Sequence, residues 1–327
     1  MNGAKRLLVT GGDGFLGRSV VNALATHAQF ETLVSLDVRD VPVERRAANV
    51  VYRQQDVRDP AIAQTIARHA IDTVVHLASI VTPGKGSNRA FEHSVDVGGT
   101  RNVLDACVDR GVRRIVVSSS GAAYGYHADN PAWITEDQPL RGNAVFAYAD
   151  HKRQVEEMLA TLRTTYPALE QTVLRIGTIL GEQVDNQITA LFEKKRLIAI
   201  RGSASPFVFV WDEDVTGAIV HALSGSPSGC YNLAGDGAMT IHEIAAALGK
   251  RTIDWPAPVL KAALAAGRAL GISRYGPEQL DFLRYRPVLL NTALKARFGY
   301  VPRKTSRQAF EAFVAARAAQ GRPITAG

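Results

Sequence analysis

Short apolar runs alternate with longer stretches of helical periodicity along most of the chain. Residues 6–10 (Arg-Leu-Leu-Val-Thr) read as a buried parallel strand, and a helix begins near Phe15. Further strands are predicted at 32–37, at 50–52 leading to 55–57, and at 72–78, 114–120, 172–176 and 230–233, with helix-length segments between most of them. A strand, helix, strand order of this kind makes the sheet parallel. Long helices are expected over about 91–110 and 147–165, and shorter ones over 241–248 and 307–318. Pro256, Pro258, Pro277 and Pro287 punctuate the last third, which shows neither a repeat nor a low-complexity run.

The turn after the first strand changes this picture most. Gly11, Gly14 and Gly17 open the first helix, flanking Phe15 and Leu16. Their missing side chains let the backbone turn tightly and let a pyrophosphate approach, while the first helical N–H groups and the positive end of the helix dipole face the anion. A glycine pattern alone is weak. Here it follows a strand, precedes a helix, and is joined by Asp37, which closes the second strand at the expected distance of about 20 residues. A carboxylate there accepts the ribose hydroxyls of NAD and repels the 2′-phosphate of NADP; Arg39, two residues on, pulls the other way. The bidentate interaction outweighs a solvated arginine, so NAD is the expected cofactor. The expected fold is α/β, a doubly wound parallel sheet of the Rossmann type over 1–180 with a return segment at about 206–238. Residues 181–205 and 239–327 form a smaller, mostly helical lobe that covers the substrate crevice.

At 327 residues, 46% hydrophobic and 21% charged, the chain is long and apolar enough for a sizeable core and is not a disordered protein. The net charge of +7 does not point to nucleic acid, because the basic residues are scattered and clusters such as Lys194-Lys195-Arg196 are short; an anionic cofactor or substrate accounts for it. Cys107 and Cys230 each sit in an apolar element and read as small buried hydrophobes, not as a disulfide or metal pair, which fits a cytoplasmic protein. A strand already begun by Leu7 leaves no room for a signal peptide, and no apolar run reaches the ~20 residues of a membrane span. His76, within the fourth strand, reads as a core histidine. Lys85 lies in the turn-rich loop 82–88 at the ligand end of the sheet and is a minor candidate for substrate contact against a plain surface loop.

Tyr148 and Lys152 are four residues apart on a predicted helix and so share a face. Tyr300 and Lys304 repeat that spacing, but with Pro302 between them and no glycine turn or strand end before them. Context distinguishes the first pair: its helix is the first after the strand ending in Ser118-Ser119-Ser120. Hydride transfer to or from a nicotinamide needs a group that moves a proton on or off the substrate oxygen. A free phenol, with a pKa of about 10, is a poor base at neutral pH. A nearby ammonium and the positive nicotinamide ring each favour phenolate, by roughly 1 to 3 pKa units, and a serine hydroxyl hydrogen-bonds the substrate oxygen as its charge develops.

These motifs resemble the extended short-chain dehydrogenase/reductase superfamily, the group that includes NAD-dependent epimerases and dehydratases. The similarity runs from Leu7 to about Leu233: the glycine turn, Gln55-Asp56-Val57-Arg58-Asp59, His76-Leu77-Ala78-Ser79, Gly99-Thr100-Arg101-Asn102-Val103-Leu104, Ser118-Ser119-Ser120-Gly121-Ala122-Ala123-Tyr124-Gly125 and Tyr148-Ala149-Asp150-His151-Lys152. The resemblance implies that Ser120, Tyr148 and Lys152 are catalytic, that Asp56 and Val57 border the adenine, and that Leu77, Ala78 and Ser79 line the cofactor. It implies a homodimer formed through the helices at 91–110 and 147–165, and a mainly structural part for Asp214 in the segment 211–215. Four positions depart from the pattern. Gly121 and Ala122 replace the Asp-Glu pair of sugar dehydratases, which disfavours dehydration. Thr178 stands where nucleotide-sugar epimerases often have asparagine, which weighs against a UDP-sugar. Asp96 replaces a frequent asparagine. Two classes stay open: an NAD-dependent oxidoreductase or epimerase acting on a secondary alcohol or carbonyl of a sugar-derived or other small molecule, and a non-catalytic dinucleotide sensor, which needs only the glycine turn.

Overall fold

Seven parallel strands form the central sheet of the computed structural model, which describes residues 6–27, 29–81, 84, 87–272 and 276–325. In chain order they are β1 (Arg6–Thr10), β2 (Thr32–Asp37), β3 (Val51–Gln54), β4 (Thr73–His76), β5 (Arg114–Ser120), β6 (Glu170–Ile176) and, after three strands outside the sheet, β10 (Gly229–Leu233). Their spatial order is β10-β6-β5-β4-β1-β2-β3, so the direction of winding reverses between β1 and β4. Side chains of successive strand residues point to opposite faces. Leu7 and Val9 enter one core with Val20, Val21 and Leu24 of α1 (Phe15–Ala25) and Val215 and Ile219 of α7 (Asp212–Ala222). Leu8, Val34 and Val117 enter the other, with Ile62 and Ile66 of α2 (Ile62–Arg68), Val103 of α4 (Thr100–Asp109) and Val155 and Leu159 of α5 (Ala147–Thr165). Most strands were legible as apolar runs because both faces of this sheet are covered; the edge strand β3 is mostly exposed and ends at Gln54, short of the expected 55–57.

The helix expected over about 91–110 starts earlier and is interrupted. Asn88 caps α3 (Arg89–His93) by accepting from Phe91 N, and a π-helical stretch, Ser94–Gly99, connects it to α4. The wider π turn carries Asp96, which is 3% exposed.

The remaining elements form a further core, around Phe192, Phe207, Phe209, Met239, Ile244 and Phe310. It is more mixed than the mostly helical lobe expected. Parallel pairs join β7 (Thr178–Leu180) to β9 (Phe209–Trp211) and β8 (Arg196–Ile200) to β11 (Arg251–Trp255). None of the four was expected as a strand: β7 and β9 are three residues each, β11 is largely exposed, and in β8 the apolar stretch 197–200 is only four residues long. The helices here include α8 (Ile241–Ala247) and α11 (Ser306–Ala319), each opened by a capping box, Thr240 with Glu243 and Thr305 with Gln308. Among the described residues no helix is long and apolar enough to cross a membrane.

Candidate active site

The turn after β1, Asp37 at the end of β2, Leu77 to Ser79 after β4 and Ser120 at the end of β5 all lie at the carboxyl ends of four adjacent strands. A reversal of winding opens a crevice there. Gly11 has a φ of +70°, and a Cβ on it would come within 2.8 Å of Ala78 N; a Cβ on Gly17 would come within 2.0 Å of the Gly11 carbonyl oxygen. Glycine is therefore required for the turn, for its approach to the segment after β4, and for seating α1 on β1. Gly14 caps α1 through its backbone alone, with no side chain over the first turn, and Phe15 at the helix start is half-exposed. Asp37 is buried, its Oδ2 accepting from Asp13 N at 3.0 Å and its Oδ1 from Arg39 N at 3.1 Å, which leaves lone-pair capacity on Oδ2 for a ribose hydroxyl. These features fit NAD.

The other predicted cofactor residues divide. Leu77, Ala78 and Ser79 are half-buried beside the glycine turn. Asp56 is held by Arg58, whose hydrogen bonds keep its carboxyl below the usual range. Val57 is buried, its side chain in the core and in the space a Cβ on Gly99 would need. His76 is the core histidine expected: Nδ1 meets Thr10 Oγ1 at 2.7 Å and Nε2 meets Thr100 Oγ1 at 2.9 Å, and burial, with the Lys152 charge, pushes it down to about 3. Lys85 lies outside the described residues.

Ser120, Tyr148 and Lys152 come together. Ser120 stands beside Tyr148, near enough to act on its phenol, and its Oγ accepts from Ala122 N at 3.2 Å; Lys152 Nζ sits 5.5 Å from the centre of the Tyr148 ring while donating to the Ser118 carbonyl at 2.9 Å. Burial pushes the phenol up; the neighbouring Ser120 hydroxyl opposes this, and the charges of Asp96 and Tyr126 add to it. Burial pushes the Lys152 ammonium down, against Asp96 and Glu156. The second tyrosine–lysine pair is structural: Tyr300 donates to Asp214 Oδ1 at 3.2 Å, and Asp214, fully buried, also accepts from Arg303 N and Lys304 N.

Asp96, noted in the sequence only as a departure, and three residues the sequence reading passed over, His151, Arg286 and Asp13, carry further contacts. Asp96 accepts from Ser79 Oγ at 3.0 Å and Ile80 N at 2.8 Å through Oδ1, and its Oδ2 lies 3.0 Å from His151 Nδ1. His151, between Tyr148 and Lys152 on α5, is 1% exposed, and its Nε2 has no hydrogen-bond partner in the structure. Arg286 lies 3.9 Å over the Phe207 ring and 4.9 Å over Phe282; its Nη1 donates to Leu283 O, but its buried Nε and Nη2 have no partner. Burial pushes this guanidinium down to about 9, opposed by Tyr126, the same tyrosine that acts on Tyr148. Asp13, inside the glycine turn, is buried and surrounded by arginines. The contacts that give these residues their roles come mostly from residues distant in sequence, which no short motif shows.

A parallel sheet with a glycine turn, an acid closing β2 and a joined serine, tyrosine and lysine defines a dinucleotide-binding protein of the short-chain dehydrogenase/reductase class. The model of the NAD dependent epimerase/dehydratase family matches residues 7–234, and the chain belongs to that family. Among its relatives, an uncharacterized Mycobacterium tuberculosis protein is 25% identical over 310 residues, covering 94% of this chain and 82% of its own length. A UDP-glucose 4-epimerase of Neisseria meningitidis is 30% identical over 185 residues, 54% of each chain. The crystal structure of the Thermotoga maritima UDP-glucose 4-epimerase with UDP-glucose superimposes with a TM-score of 0.74 at 19% identity, covering 96% of this chain and 99% of that one.

Proposed function

We propose that this protein is a hydride-transferring enzyme that oxidises or reduces a secondary alcohol or carbonyl of a sugar-derived substrate carrying an anionic group. The observation that carries this reading is the convergence of Ser120 and Lys152 on Tyr148, with Lys152 Nζ 5.5 Å from the centre of its ring. NAD, when bound, supplies the hydride acceptor or donor. Tyr148 moves the proton at the substrate oxygen, Ser120 donates a hydrogen bond to that oxygen as charge builds on it, and Lys152 favours the phenolate by its charge. Arg286 supports the anionic group: a buried guanidinium with free donors and aromatic walls suits a phosphate or carboxylate. The Neisseria and Thermotoga relatives named above act on a nucleotide sugar, which is one such substrate. A sensor has no need of the serine, tyrosine and lysine arrangement.

The test combines nucleotide analysis with turnover. Purified protein is denatured, the released NAD or NADH is quantified by chromatography, and nucleotide sugars and sugar phosphates are screened for isomerised product and for net NADH. Bound NAD with isomerisation and no net NADH marks an epimerase; exchange of NAD with net NADH marks a dehydrogenase. Tyr148→Phe is expected to lose turnover by about 10²- to 10⁴-fold while retaining NAD. Turnover unchanged in that variant would overturn the reading.

The same proposal includes a homodimer. A groove of about 400 Å³ runs between α4 and α5, lined by Val97, Leu104, Met158 and Leu162 with Arg101 and Glu157 among its polar residues, on the helices through which the family resemblance implies pairing.

A further inference from the structure

Asp13 is the most heavily engaged residue of the glycine turn. Its backbone N–H donates to Asp37 Oδ2 at 3.0 Å, fixing the carboxylate that faces the cofactor ribose. Its carbonyl oxygen accepts from Arg18 Nη1 at 2.7 Å and from Arg39 Nη2 at 2.5 Å. Its carboxylate, 5% exposed, lies 3.3 Å from Arg45 Nη1, 3.5 Å from Arg39 Nε and 3.6 Å from Arg18 Nη1. Arg39 Nε also reaches Asp37 Oδ1 at 3.3 Å. Three guanidinium groups therefore converge on two carboxylates beside the edge of the site where NAD and NADP differ.

That arrangement alters the meaning of Arg39. An arginine just past the acid of β2 normally serves a 2′-phosphate, whose added charge is close to two units at neutral pH. Here the guanidinium is turned to the glycine turn and held between Asp13 and Asp37. Arg18 and Arg45, which add positive charge at the same edge, are held by the same carboxylate. Asp13 is mostly buried, so its pairing with them is screened less than an exposed ion pair would be.

We propose that Asp13 is a specificity-determining residue for NAD over NADP, acting by holding Arg39, Arg18 and Arg45 in a closed ion network that a 2′-phosphate would otherwise occupy. Asp37 repels the phosphate directly, and Asp13 removes the cations that would receive it. Neutralising Asp13 leaves its backbone N–H and carbonyl in place, raises the local positive charge by one and removes the carboxylate that pairs with Arg45, Arg39 and Arg18, while Arg18 and Arg39 keep their bonds to the carbonyl.

Cofactor affinity measured by calorimetry on nucleotide-free protein tests this without turnover. Asp13→Asn is expected to tighten NADP binding by about tenfold or more while NAD affinity changes by less than about threefold, and adding Arg39→Ala to that variant is expected to abolish most of the gain. An NADP/NAD affinity ratio within about twofold of the wild type, or an equal loss of both cofactors, overturns the proposal. Should Asp13→Asn fail to fold, Arg39→Ala in the otherwise unchanged chain decides: with Arg39 already held, NADP affinity stays within about twofold, whereas a tenfold loss means that Arg39 serves the phosphate in the wild type, and the proposal falls.

Discussion

Glu156 lies one helical turn beyond Lys152 on α5, and its removal is expected to cost the protein a large part of its stability. Both Glu156 and its partner Arg175 are nearly inaccessible, at 2% and 5% exposure. The carboxylate takes Arg175 Nε at 2.9 Å and Nη2 at 2.7 Å on Oε2, and also accepts from Ser119 Oγ. Arg175 Nη1 donates to Tyr124 OH at 2.7 Å and Glu136 O at 2.9 Å, and Tyr124 donates in turn to Asn232 at 2.8 Å, so the network ties α5 to β5, β6 and β10. Burial alone would pull the guanidinium down; the charge and hydrogen bonds of Glu156 outweigh it and hold Arg175 above its ordinary value. Glu156→Ala leaves that charge buried without a counter-ion, for a loss of about 3–5 kcal/mol, against a total of about 5–15 kcal/mol in ordinary domains. Replacing both partners, as Glu156→Leu with Arg175→Met, is expected to recover most of the loss, because neither charge is then left alone. Guanidinium-induced unfolding followed by circular dichroism measures all three proteins. A loss below about 1 kcal/mol for Glu156→Ala, the range of exposed pairs, would refute the reasoning.

His76 and the groove between α4 and α5 give two further expectations. Since His76 is held at about 3 in the fold against an ordinary value of 6.5, the unfolded chain takes up the proton first on acidification. Its contribution is then complete above pH 6.5 and declines by about 1.4 kcal/mol per unit as pH falls below that; unfolding curves between pH 7 and pH 5 should show this slope in the wild type but not in His76→Gln, and equal slopes would contradict it. Light scattering should give about twice the 35.2 kDa chain mass for the wild type and a single chain mass for Met158→Glu; a wild-type monomer at micromolar concentration would remove the dimer.

What was legible in the sequence followed from local causes. Burial on both faces makes a strand an apolar run, as at Leu7 to Val9; a positive φ and a close backbone approach demand glycine at Gly11; and one helical turn joins Tyr148 to Lys152. The unread part depends on pairing across the fold. Asp96 was only an unexplained departure from a family pattern, because His151 is 55 residues away and looks in sequence like any polar residue of a helix. Arg286 resembles a surface arginine until Phe207 and Phe282 are seen beneath it. The Asp96–His151 contact makes a final, separable expectation. Both partners are buried and share a hydrogen bond, so Asp96→Asn and His151→Gln should be non-additive in unfolding free energy by about 0.5–3 kcal/mol. Strict additivity would mean that the two residues act independently and that their contact does not tie Asp96 to α5.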